Sequence, residues 1–154
     1  MTKPFTLQPL IDLTQHQNES ATRKLGQLNQ LQQSAQQKLD TLMEYRKDYQ
    51  NRLQEATLGG MDPAQLRNFQ HFINKLDEAI NHQRKVVEQS KISTQIGRTE
   101  FDTTQRKLKS FDALQQRHFE AQKKIAEKAE QKMLDEHTGR MAAYKMNNPG
   151  NQTK

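Results

Sequence analysis

The stretch Leu58-Gly59-Gly60-Met61-Asp62-Pro63 decides how this chain folds. Gly59 can supply the left-handed residue that follows a helix C-terminus. Asp62 can cap a second helix with Pro63 at its first position, and Gln65 stands three residues after the cap, as in a capping box. The other prolines are Pro4, Pro9 and Pro149, so Pro63 is the one proline between residues 10 and 148 that forbids a helix interior. The spacing predicts two helices, at about 6–57 and 63–145, with a turn at 58–62 and a disordered tail at 146–154, all within a single coiled-coil domain. Joined by so short a loop, the helices must run antiparallel.

Composition agrees with helix rather than globule. Of 154 residues only 32% are apolar and 27% are charged, tryptophan is absent, and the mean hydropathy is −1.11. A globular chain of this length buries about two thirds of its surface around apolar side chains, and this one has too few. Glutamine, about one residue in seven, joins Lys, Arg, Leu, Ala and Glu as the set that loses least on entering a helix. Proline is too sparse for a disordered chain. The remaining solution is a narrow apolar stripe along a long thin body.

That stripe is visible on both sides of the turn. Before it, Leu25, Leu28, Leu31, Ala35, Leu39, Leu42, Tyr45, Tyr49, Leu53 and Ala56 recur at about 3.4 residues per step, the heptad regime of a left-handed supercoil. Ala21, Leu13, Leu10 and Leu7 extend the seam toward the N-terminus, with polar interruptions at Thr14 and Gln17. After the turn, a strict alternation of three and four lands on Leu66, Phe69, Ile73, Leu76, Ile80, Gln83, Val87, Ser90, Thr94, Gly97, Phe101, Thr104, Leu108 and Phe111. The middle of this row, Gln83 to Gly97, is polar or small. It permits close approach but buries little, which marks it as the least stable part, with Gly97 a weak seam position costing roughly 1 kcal/mol against alanine. Symmetric pairing about the turn sets Thr6 opposite Gln115, so about 30 residues of helix 2, from Gln116 to Lys145, project without an internal partner.

Several functions are excluded by what the sequence lacks. With no cysteine there are no disulfides, thiolate metal sites or cysteine nucleophiles. His16, His71, His82, His118 and His137 include no pair four apart, so helical zinc ligation has no support, and Gly59-Gly60 lacks the Lys-Ser or Lys-Thr of a phosphate loop. A two-helix body offers no concave pocket to shift the pKa of Asp77-Glu78 or Asp135-Glu136. The chain reads as non-enzymatic, with no cofactor and no metal. Neither a secretion signal nor a membrane-spanning run is present, which places it in the cytosol. The net charge of +6 suits acidic protein surfaces, anionic lipid or nucleic acid.

Two regions carry apolar side chains beyond what the seam uses. In the projecting segment Ile125, Ala129 and Met133 share one helical face, with Lys123, Lys124 and Lys128 beside them. The readings are a docking site for another protein, a solvated single helix, or nucleic acid, for which stacking aromatics and arginine clusters are missing. Near the turn, Phe72, Leu76 and Ala79 widen the apolar surface of helix 2 at the level of Leu42, Tyr45 and Tyr49 on helix 1, either as thickened core or as an exposed patch.

At these residues the sequence resembles a known family. Leu42-Met-Glu-Tyr45-Arg-Lys-Asp-Tyr49, the glycine turn, and Asn68-Phe69-Gln-His-Phe72-Ile73-Asn-Lys-Leu76-Asp-Glu-Ala79-Ile80-Asn-His-Gln83 are similar to the flagellar export protein FliJ family. The resemblance covers residues 5 to about 145 in length and helix layout, and its specific part is 39–87. It implies an all-α fold, a two-helix antiparallel coiled-coil hairpin with a longer second helix, like the stalk subunit of rotary ATPases. It further implies a component of flagellar type III protein export that couples the export ATPase ring to the membrane export gate protein FlhA and binds flagellar export chaperones. By position Leu42, Tyr45, Tyr49, Phe72, Leu76 and Ala79 match the family's gate-binding patch, which favours exposure of Tyr45, Tyr49, Phe72 and Leu76. Ile125, Ala129, Met133, Lys123, Lys124 and Lys128 then become candidates for docking the ATPase ring. No nucleic acid is expected, and membrane association, at the cytoplasmic face of the inner membrane, would come only through partners. The alternatives are the stalk protein of a non-flagellar injectisome, or a basic coiled-coil adaptor.

Overall fold

The structure, a computed structural model, describes residues 5–148 and residue 150. Two helices account for nearly all of it: α1, Gln8–Leu58, and α2, Pro63–Asn147. Among the described residues there is no strand. α2 takes in Met146 and Asn147, where the tail was expected to begin; Pro149 and residues 151–154 of that expected tail lie outside the described residues.

The turn is built one residue later than the sequence suggested. Gly59 N–H still donates to the Glu55 carbonyl at 3.3 Å, continuing the helical ladder, and Gly60, with φ of 82°, is the left-handed residue. Its N–H donates to Thr57 O at 3.4 Å. A Cβ would strain that backbone, so glycine is required at 60 rather than at 59. Leu66 N–H donates to Asp62 O at 3.1 Å, which makes Asp62 the residue that opens α2.

By its contacts the chain divides into two units, Thr14–Arg106 and Lys107–Lys154 with Met1–Leu13. Within Thr14–Arg106 the helices pair antiparallel. Asn18 meets Thr104, Ala35 meets Gln83, and Arg46 meets Asp77. From Phe69 onward the α2 seam falls where the three-four alternation puts it: Leu76, Ile80, Gln83, Val87, Thr94 and Gly97 are buried, with Phe69, Ile73, Ser90, Phe101 and Thr104 half-buried, whereas Leu66, expected to open the row, is exposed.

The α1 seam obeys the same strict alternation, and this corrects the reading from apolar residues alone. Its positions are Thr14, Asn18, Ala21, Leu25, Leu28, Gln32, Ala35, Leu39, Leu42, Arg46, Tyr49, Leu53 and Ala56, all buried or half-buried. Leu31 and Tyr45, expected in the seam, are 63% and 56% exposed. Each lies one position before a polar residue, Gln32 or Arg46, that faces the partner instead. Between Leu28 and Ala35, and between Leu42 and Tyr49, only a step of four followed by three keeps the stripe under the opposing helix. Rotation along the helix therefore overrides hydrophobicity. Thr14, expected as an interruption, is a buried member of the seam.

The polar middle of the α2 seam is buried as deeply as the apolar residues before it, apart from half-buried Ser90. Gln83 Nε2 donates to the Ala35 carbonyl of α1 at 2.9 Å. The Thr94 hydroxyl lies 2.8 Å from Ser90 O and 3.3 Å from Leu28 O, shared between its own helix and the facing one. Gly97 is a site of close approach, where a Cβ would come within 2.6 Å of Leu28 Cδ1 and the leucine end would have to move.

In the unit formed by the chain ends, Gln115 Nε2 donates to Gln8 Oε1 at 3.4 Å and the Phe5 ring lies 5.3 Å from that of His118. The pairing is thus within two residues of the symmetric register. Ile11 is 3% exposed, whereas Leu10 and Leu13, expected in the seam, are exposed, by the same one-position displacement. On α2, Leu108, Phe111, Gln115, His118 and Gln122 continue the alternation as half-buried residues. Every residue from 123 to 148 is exposed.

Two glycines in the same helices should respond oppositely to alanine. Gly26 has open space around its Cβ position, so Gly26→Ala should gain about 0.5–1 kcal/mol from helix propensity. Gly97→Ala should instead lose about 1 kcal/mol by overpacking against Leu28. Urea denaturation of the two variants checks the contrast; a stabilised Gly97→Ala would mean the close approach is not needed.

Candidate partner-binding surfaces

With the seam fixed, the six residues near the turn separate by their place on the helix. Leu42 packs half-buried against the cluster of Leu39, Ile80 and Val87, and Leu76 is 8% exposed. These two belong to the core, so the expectation of an exposed Leu76 is corrected: it occupies a seam position opposite α1. Tyr49 also sits in the seam, half-buried, with its ring stacked on Phe72 at 4.2 Å and tilted against Phe69 at 5.5 Å. Ala79 is half-buried. Only Tyr45 and Phe72, 56% and 42% exposed, present large apolar area to solvent.

The stack makes this a built surface rather than a loose pair of side chains. Tyr49, anchored in the seam, supports Phe72 from beneath, and offset aromatic stacking of this kind is worth about 0.5–1.5 kcal/mol beyond area. Tyr45, Asp48, Tyr49, Arg52 and Phe72 line one shallow depression, and Tyr49, Ala56, Met61, Gln65, Asn68, Phe69 and Phe72 line another. Phe72 is the wall they share. Asp48 and Arg52, missed by hydrophobicity, give the patch a carboxylate and a guanidinium. Their signal was heptad position, legible once the α1 seam is placed correctly.

The opposite edge of the hairpin differs. Met43, Arg46, Lys47, Gln50, Asp77, Asn81 and Arg84 surround a polar depression there. Across it Arg46 Nε donates to Asp77 Oδ1, and that hydrogen bond, followed by the charge attraction, holds the guanidinium pKa above its ordinary value. Arg46 Nη1 also donates to Gln50 Oε1 at 3.0 Å. Arg46 is thus spent on closing the edge.

Ile125, Ala129 and Met133 are exposed on α2, as are Lys123, Lys124 and Lys128, with Ile125 and Met133 at 62% and 70%. Leu134, Met141, Tyr144 and Met146, which the sequence reading did not single out, are exposed on the same stretch. Its large apolar residues are therefore rich in methionine, whose flexible side chain adapts to varied partner surfaces. Among the described residues no group of three or more His, Asp or Glu side chains is placed to hold a metal, and no helix is long and apolar enough to cross a membrane.

These features define a two-helix coiled-coil protein with an exposed aromatic edge patch and an exposed stretch of α2 beyond Gln122. The model of the flagellar FliJ protein family matches residues 2–147. The chain is 28% identical over 145 residues to the flagellar FliJ protein of Escherichia coli strain K12, covering 94% of this chain and 99% of that one. It is 26% identical over 145 residues to the flagellar FliJ protein of Salmonella typhi, with the same coverage. No solved structure matches. The chain belongs to the flagellar FliJ protein family, a family of flagellar export components.

Phe72 and Leu76, one helical turn apart, should separate surface from core. Phe72→Ala should leave helicity unchanged and cost about 1 kcal/mol through the lost stack, whereas Leu76→Ala should cost about 2 kcal/mol or more. Circular dichroism melts of both decide it; comparable collapse in the two would place Phe72 in the core.

Proposed function

We propose that this protein is a non-enzymatic, stalk-like coupler of flagellar protein export, linking the export ATPase ring to the membrane export gate protein FlhA and binding flagellar export chaperones. The observation that carries this reading is the separation of two exposed apolar surfaces: the Tyr45–Phe72 patch beside the turn, and the uncovered stretch of α2 beyond Gln122. Two surfaces on separate parts of the chain are what a protein with two partners needs. The aromatic patch meets the gate through Tyr45 and Phe72, with Leu42, Tyr49, Leu76 and Ala79 as the support that positions them. The extension docks the ring through Ile125, Ala129 and Met133, with Lys123, Lys124 and Lys128 supplying charge. Association with the cytoplasmic face of the inner membrane follows from the gate and not from lipid contact.

Gln122 is the last half-buried residue of α2, so truncation after it removes nothing that α1 covers. The truncated chain should remain helical, still co-purify with the cytoplasmic part of the gate protein, and no longer stimulate the export ATPase. Phe72→Asp in the full chain should do the reverse. Loss of both interactions in either variant, with the helices intact, would overturn this division of labour.

A further inference from the structure

The two edges of the unit Thr14–Arg106 are unlike. The polar edge carries the residues that follow seam positions, such as Met43, Asp77 and Arg84. The other carries the residues that precede them. The innermost of these, at every seventh residue, are Lys24, Leu31, Lys38, Tyr45 and Arg52 on α1 and Phe72, Ala79, Val86, Ser93 and Glu100 on α2. Two observations tie the members of this edge together: Tyr45, Arg52 and Phe72 line one depression, and Lys24 Nζ pairs with Glu100 Oε2 at 3.3 Å across the helices. In that innermost row α1 has cations and no acid, while α2 has an acid, no cation and a run of apolar residues; just outside it Asp48 and Glu55 on α1 and Lys75 on α2 carry the opposite signs.

We propose that this edge is a self-association surface, occupied by the same edge of a second copy lying parallel and related by a two-fold axis along the helices. That operator sets α1 of one copy against α2 of the other at the same level. Tyr45 then packs on Ala79 and Phe72 of the second copy, Arg52 lies against the Phe72 ring, and Lys24 meets the second Glu100 as well as its own. Lys38 lays its methylenes along Val86, and no lysine faces a lysine. An antiparallel arrangement would set Lys38 on Lys38 and Arg52 on Lys24. Near Glu100 the edge is lined by Ser20, Ala21 and Thr103, small enough for the two copies to approach closely. Four helices joined in this way bury a position beside each seam as well as the seam itself, the wider stripe that bundles use and two-stranded coils do not need. The apolar area is at the small end for specific interfaces, so the dimer should form at micromolar concentrations.

The test needs only the purified full chain. Sedimentation equilibrium should show a reversible dimer below about 100 µM. Tyr45→Asp should weaken it at least tenfold, and Met43→Asp, on the polar edge, should leave it unchanged. Glu100→Lys should weaken it, and adding Lys24→Glu should restore it by exchanging the charges. Because the chain has no cysteine, a mixture of two single variants, Lys38→Cys and Val86→Cys, can form the mixed disulfide only between copies, and it should do so in preference to either self-disulfide. A monomer at all concentrations, a dimer indifferent to Tyr45→Asp, or preferential Lys38→Cys self-linkage would each overturn the proposal. Circular dichroism of each variant keeps unfolding from being mistaken for dissociation.

Discussion

Hydrophobic burial is non-directional, and two helices with a seven-residue apolar repeat can slide past one another by a heptad and still bury similar surface. Here the short turn between Leu58 and Pro63 restricts that freedom, and polar side chains in and beside the seam fix the match. Gln83 reaches the Ala35 carbonyl, Asn18 Nδ2 donates to Thr104 Oγ1 at 2.9 Å, and Gln105 Nε2 lies 3.4 Å from Asn18 Oδ1. Thr104 in turn donates to Phe101 O at 2.8 Å, so its hydroxyl is both donor and acceptor. Among the described residues no buried side-chain polar atom is left without a partner. A slip by one heptad would strand several of these groups, at about 1–3 kcal/mol each. A chain with so few apolar residues thus gets its register from its turn and from polar residues, which act as a buried asparagine does in coiled coils generally.

Everything else about the surface follows from that register. Once strict three-four alternation has claimed Arg46 and Tyr49, Tyr45 must lie outside the seam; once it has claimed Ile73 and Leu76, so must Phe72. Neither is exposed for lack of core to occupy. Each is held at the edge by neighbours whose positions are not free to change, and Tyr49 stacks on Phe72 from within the seam. The patch is a by-product of register, and for that reason it is rigid: a partner meets side chains whose supports are already fixed, which lowers the ordering cost of binding.

The sequence was legible wherever hydrophobicity and position coincide. On α2 they do, and each seam residue from Phe69 to Phe111 is buried or half-buried where the alternation put it, including the polar Gln83, Ser90 and Thr94. On α1 they diverge. Leu10, Leu13, Leu31 and Tyr45 are apolar residues next to the seam, while Thr14, Asn18, Gln32 and Arg46 are polar residues in it. Reading by apolar content therefore drifts by one position and then recovers at the next leucine. Gly59 and Gly60 raise the same difficulty in miniature, since composition marks the turn and only the hydrogen-bond ladder says which glycine is left-handed. At Leu76 two signals disagreed: the alternation on α2 put it in the seam, the family resemblance favoured its exposure, and it is buried at the seam position. The stretch beyond Gln122 was legible as uncovered, because nothing on α1 remains to face it.

A patch of two exposed aromatic residues on the edge of a two-helix hairpin can hold one occupant at a time. Tyr45 and Phe72 serve the gate in the proposed function and a second copy in the proposed dimer, so the two associations compete for the same atoms. Competition of this kind is concentration-dependent in a simple way. A dimer that forms only at micromolar concentration is a weak competitor, and a gate contact of equal affinity displaces it whenever gate sites outnumber spare chains. Self-association would then matter most for surplus protein away from the export apparatus, where covering an aromatic edge keeps it from meeting other apolar surfaces. The same substitution, Tyr45→Asp, removes both associations, whereas Glu100→Lys alone weakens the dimer far from the aromatic residues. The charges at that end of the edge, and not the aromatic pair, are therefore where the two roles can be separated.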